Sequence, residues 1–75
     1  MIRYKIDIMK ELNNRGYNYM RIKKEKLLSA QTLENIKRGK SITLDTLNKI
    51  CVMTRLQPQD IIEVIATDEE KAKYF

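Results

Sequence analysis

Gln31 and Asn35 are the pair whose type and spacing could do chemistry. They lie four apart, so a helix over this stretch would carry both amides on one face. Each amide offers a donor and an acceptor side by side, the pattern that pairs in two bonds with N6 and N7 of adenine. Basic residues flank them, with Arg21, Lys23, Lys24 and Lys26 before and Lys37, Arg38 and Lys40 after. Other chemistries are poorly supplied. The chain has no His, so the usual general base near neutral pH is missing. Its single Cys51 allows neither an internal disulfide nor a zinc ligand set. Most carboxylates are interleaved with Lys and Arg on faces that read as solvated. No enzyme activity, metal or cofactor is expected.

The elements that must position the amides follow from Gly16, Gly39 and Pro58, which cut the chain into helix-sized pieces with apolar spacings of three and four. A first helix is expected from Lys5 to Arg15, with Ile8, Met9 and Leu12 as its stripe, Lys5 or Tyr4 one turn earlier, and Gly16 as its stop. Residues 1–4 carry no pattern that decides their conformation. A second runs from Tyr19 to Lys26 behind an Asn18 N-cap, with Met20 and Ile22 as its apolar residues. A third runs from Ala30 to Arg38 between a Ser29 cap and Gly39. A fourth starts at Thr43 or Leu44 and ends at Thr54. A fifth starts at Pro58, with Ile61, Ile62 and Ile65 on its buried side. Thr67 and Glu70 have the spacing of a capping box, so residues 67–75 are either a short sixth helix or a frayed tail. The fold class is therefore all-α: one domain over residues 1–75 with its core in 5–66 and no substantial sheet. Expected core residues are Ile8, Leu12, Ile22, Leu33, Ile36, Leu44, Leu47, Ile50, Ile61 and Ile65. Cys51 falls in an apolar run and reads as a core residue.

The second and third helices are joined by only Leu27, Leu28 and Ser29, the geometry of a helix-turn-helix. Such a motif needs a short joint, an apolar inner face (here Ile22, Leu28, Leu33 and Ile36) and long polar side chains outside. Charge placement agrees. Residues 1–56 carry thirteen Lys/Arg and five Asp/Glu, a net +8, whereas residues 57–75 carry two and five, a net −3. The basic part would attract a polyanion and the acidic end would face away. The scattered tyrosines offer no stacking sheet for single-stranded RNA. No apolar stretch approaches the roughly 18 residues of a membrane span, and Met1 to Lys5 begin no signal peptide. A soluble cytoplasmic protein is expected.

Residues 16–65 resemble the Cro and phage-repressor type of helix-turn-helix, the lambda-repressor-like superfamily, and more narrowly its small single-domain regulators. Three segments carry the resemblance. Residues 28–40, LSAQTLENIKRGK, match the pattern of apolar, Ser, two polar, Thr, apolar, two polar, apolar, two polar, Gly, Lys. Residues 42–51, ITLDTLNKIC, resemble the next helix, and residues 56–62, LQPQDII, the fifth. The resemblance implies a compact five-helix bundle and a sequence-specific transcriptional regulator that places residues 30–38 in the major groove of double-stranded DNA. It implies base contacts from Ala30, Gln31 and Asn35, with Ala30 limited to a thymine methyl. It implies phosphate contacts from Asn18, Tyr19, Ser29, Arg38, Lys40 and Ser41, with Gly39 contributing backbone. A protein-interaction module or antitoxin on the same fold is the alternative. A homodimer, formed in solution or only on DNA, would use the fourth or fifth helix or the tail, with Tyr74 and Phe75 as anchors. The chain departs from the pattern at Leu27, where the turn usually has Gly, and at Lys23, where a small residue is usual.

Overall fold

The computed structural model describes residues 1–75. In chain order it contains β1 (Ile2–Tyr4), α1 (Ile8–Asn14), α2 (Tyr19–Lys24), α3 (Ala30–Lys37), α4 (Leu44–Thr54), α5 (Pro58–Ile61), β2 (Ile62–Val64) and α6 (Asp68–Tyr74). The protein is mostly helical, but the expectation of an all-α fold without a substantial sheet needs a correction: a short two-stranded antiparallel sheet pairs residues near the two ends, with Ile2 opposite Val64, Arg3 opposite Glu63 and Tyr4 opposite Ile62. Of the two alternatives for residues 67–75, the short sixth helix forms, so the helices number six and not five.

The sheet explains why α5 is only one turn long. Ile61, Ile62 and Ile65 fit a helical stripe, but Ile61, Ile62, Val64 and Ile65 are all β-branched and favour extended backbone. The first strand supplies a partner, so the chain leaves the helix at Ile62. The Arg3–Glu63 ion pair at 3.3 Å crosses the two strands. Just outside the ladder, the Lys5 amide donates to the Ile61 carbonyl at 2.8 Å. Because residues 2–4 are extended, α1 begins at Ile8 rather than Lys5, capped by Asp7, whose carboxylate accepts from the Lys10 amide at 3.1 Å. Lys5 and Tyr4 thus lie outside the helical stripe.

Three helices end in the same way. After α1, the Gly16 amide donates to Asn13 O and the Tyr17 amide to Leu12 O. After α3, Gly39 and Lys40 donate to Ile36 O and Asn35 O. After α2, Lys26 and Leu27 donate to Lys23 O and Ile22 O. Each pair of bonds is a Schellman motif, which needs a left-handed residue at its pivot. Gly16 and Gly39 supply it with φ of 86° and 70°, and Lys26 supplies it with φ of 53°. The turn's departure from glycine therefore falls on Lys26 and not on Leu27. It also ends α2 at Lys24, two residues before the expected boundary.

Nine side chains form the core: Ile8, Leu12, Ile22, Leu28, Leu33, Ile36, Leu47, Ile50 and Ile61. Two expected members are outside it. Leu44 is 83% exposed and Ile65 is 43% exposed. Leu44 is the first residue of α4, at its exposed N-terminal end, and Ile65 follows β2. Met20, expected as an apolar residue of α2, is exposed, and Cys51 is half-buried. Thr54 is fully buried, with its hydroxyl donating to Ile50 O at 2.7 Å, so no buried polar side-chain atom is left without a partner. α6 forms behind the Thr67–Glu70 capping box and buries no side chain.

Candidate nucleic-acid interface

α2 and α3 make the helix-turn-helix. Residues 25–29 connect them, rather than the shorter joint read from the sequence, and Leu28 drops from this connection into the core. Ile22 on α2 and Leu33 and Ile36 on α3 lock both helices onto the body. The opposite face of α3 carries Ala30, Gln31, Glu34 and Lys37 exposed and Asn35 half-buried.

Gln31 and Asn35 are brought together. Gln31 Nε2 donates to Asn35 Oδ1 at 3.0 Å. Gln31 keeps Oε1 and its second N–H, which is an acceptor and a donor, and Asn35 keeps both protons on Nδ2. The bond leaves Gln31 able to make two bonds outward and restricts its rotation. Two amides one turn apart thus form a single oriented polar surface.

The residues expected at phosphates fall into two groups. Asn18 and Ser29 are N-caps. Asn18 Oδ1 accepts from the Arg21 amide at 2.8 Å, and Ser29 Oγ accepts from the Thr32 amide at 3.1 Å and donates to Thr32 Oγ1 at 2.8 Å. Their first role is to satisfy helix ends, which fixes where each helix starts. The second group follows α3. Arg38 caps its C-terminal end and donates through Nε to Glu34 at 2.7 Å, while Lys40 and Ser41 are exposed. The Tyr4 hydroxyl donates to the Lys40 carbonyl. Burial raises the Tyr4 pKa, which keeps the phenol a neutral donor. The first strand thereby anchors the loop that carries Lys40, a role for Tyr4 that no helical pattern in the sequence could signal.

Tyr19 organises the cations beside α3. Its ring centroid lies 5.3 Å from Lys23 Nζ and 5.1 Å from Lys37 Nζ, so one ring is in contact with ammonium groups from both helices. Lys23 is exposed and extends away from the helix contact, which is how a long side chain fits where a small one is usual. Arg21 turns back toward the segments that flank α2. It stacks 4.4 Å over Tyr17 and donates to Gly16 O and to Glu25. The Glu25 hydrogen bond and charge raise its pKa.

No helix is long and apolar enough to cross a membrane. Neither the curated proteins nor the solved structures compared with the chain gave a match. A family model does match: residues 7–67 fit the Cro/C1-type HTH DNA-binding domain, spanning every element from α1 to β2. The chain therefore belongs to the Cro/C1-type HTH DNA-binding family.

Proposed function

We propose that the protein is a sequence-specific transcriptional regulator that reads its site with α3 in the major groove. The observation that carries this is the Gln31–Asn35 couple on the outer face of α3. Gln31 makes two bonds to one adenine, Asn35 holds it in place and adds its own donors, and Ala30 touches a thymine methyl. Asn18 and Tyr19 at the start of α2, Ser29 at the start of α3, and Arg38, Lys40 and Ser41 after it meet phosphates. These contacts supply affinity without sequence choice, and the amides supply the choice. Two copies bind together with their α3 helices one duplex turn apart, about 34–36 Å, because one module this small buries too little surface for tight selective binding.

A second reading, a protein-interaction module such as an antitoxin, takes its support from the exposed apolar residues Leu44 and Val52. Selection from random duplexes, followed by a salt titration on the enriched sequence, separates the two. A regulator enriches a defined site, and log K falls linearly with log salt with a slope of about −0.9 per phosphate contact. Failure to enrich any sequence, with binding to DNA no stronger than that of an unrelated basic protein, contradicts the regulator.

A further inference from the structure

A shallow concavity lies where the α2–α3 turn and the start of α3 meet α4, and every polar side chain that lines it can donate a hydrogen bond. Its cations are Lys23 from α2, Lys26 from the turn and Lys49 from α4. All three are exposed, none takes part in the protein's five ion pairs, and no carboxylate lines the concavity. Two threonines add hydroxyls. Ser29 Oγ donates to Thr32 Oγ1 at 2.8 Å, and Thr43 Oγ1 donates to Thr46 Oγ1 at 3.1 Å. Thr32 and Thr46 are half-buried in this concavity and donate their own protons to no group of the chain. Lys26 carries a further signal. It holds the left-handed pivot of its turn with φ of 53°, where the other two Schellman motifs use Gly16 and Gly39. Glycine would hold this turn at lower cost, so what the chain gains there is the ammonium.

We propose that this concavity seats a phosphate of the DNA backbone, with Lys26, Lys49 and the Thr46 hydroxyl as its donors. The proposal rests on the reading above that α3 enters the major groove. Phosphodiester oxygens only accept, so they match a lining that only donates, and the ammonium groups neutralise their charge. The place of the concavity selects the source of the phosphate. Ser29 and Ala30 line it too, so it is continuous with the end of α3 that meets DNA. A helix in the groove is flanked by the two backbones, and a concavity beside its first residues faces one of them. Thr46 and Lys49 are three apart and neighbours on α4, which brings into the interface a helix that none of the other contacts uses. Phosphate contacts set register and orientation. With Lys40 holding the backbone after α3 and this site holding it before α3, the recognition helix is positioned from both ends.

Fluorescence titration of the full chain on random duplex at several salt concentrations tests it. The double variant Lys26→Gly with Lys49→Ala removes one phosphate contact and is expected to lower the salt slope by about one. Lys71→Ala with Lys73→Ala removes the same charge from α6 and is expected to leave the slope unchanged. Lys26→Gly alone is expected to weaken binding while raising thermal stability, so its loss does not come from misfolding. Thr46→Val removes the hydroxyl without changing charge and is expected to weaken binding about fivefold, and Thr46→Ser to bind like the wild type. A double lysine variant with the wild-type slope, or a Thr46→Val variant that binds like the wild type, overturns the proposal. So does a site that takes free pyrophosphate, seen as shifts of the Thr32 and Thr46 amide signals, while Lys49→Ala leaves DNA binding unchanged. These losses on random duplex in a chain that selects no sequence would strike the regulator and leave this contact standing. A sequence selected through Gln31, with wild-type binding in the lysine and threonine variants, would strike this contact alone.

Discussion

Arg38 and Lys40 lie two residues apart after α3 but are held differently. Arg38 is engaged by Glu34 at 2.7 Å, whereas the Lys40 ammonium is in no ion pair and its backbone carbonyl is fixed by Tyr4. The Arg38–Glu34 pair is exposed, so it contributes little to stability. Its effect is on readiness, since Arg38 must share or release Glu34 to meet a phosphate. Replacing either cation with Ala is expected to weaken binding to every DNA sequence about equally and to lower the salt slope by about one. Lys40→Ala should have the larger effect, because its charge is not already compensated. Electrophoretic or fluorescence titrations on random duplexes at several salt concentrations measure this. A double variant with unchanged binding at low salt contradicts the phosphate role of the loop.

At the scale of elements, the turn between α2 and α3 carries strain that a single change can remove. Lys26 occupies a left-handed conformation whose cost for a residue with a Cβ is about 1–2 kcal/mol. Lys26→Gly relieves that cost and returns part of the gain through a more flexible unfolded chain, so a net stabilisation of about 0.5–1 kcal/mol is expected. Thermal or urea unfolding measures it, and a loss of stability would show that Lys26 makes a contact worth more than its strain. Leu47, the buried residue of α4 that faces the core beside Ile50, is the counterpart in packing. Leu47→Ala should cost about 2–5 kcal/mol, enough to unfold much of the population of so small a domain. These two positions also show what was legible in the sequence. The Asn18, Ser29 and Thr67 caps and the Gly39 stop follow from local chemistry, and the structure places all of them as expected. The left-handed pivot lies at Lys26, one residue before the position where the motif pattern has glycine, and the bonds from Lys26 and Leu27 locate it. The sheet was illegible for another reason. Each strand is three residues long, too short for alternation to show, and its existence depends on a partner some sixty residues away. Leu44 misled because spacing alone places it with Leu47, while only the packed structure shows which side of α4 is covered.

For the whole molecule, two features belong to the helix-turn-helix and the loop after it. The helix-turn-helix presents the coupled amides of Gln31 and Asn35, the Tyr19 ring contacts the ammonium groups of Lys23 and Lys37, and Tyr4 anchors the loop that carries Lys40. The sequence already pointed to Gln31 and Asn35 as a pair, because four residues is one helical turn. The role of Tyr4 and the approach of Lys37 to Tyr19 depend on tertiary placement and had no sequence signal. The central claim is that this surface reads bases through Gln31. Measuring the affinities of wild type and Gln31→Ala for the selected duplex and for random duplex, at one salt concentration, tests it most directly. A loss of about 1–3 kcal/mol on the selected duplex is expected, with relaxed choice at one base pair and almost unchanged binding to random DNA. An equal loss on both duplexes, or no loss on either, would contradict it.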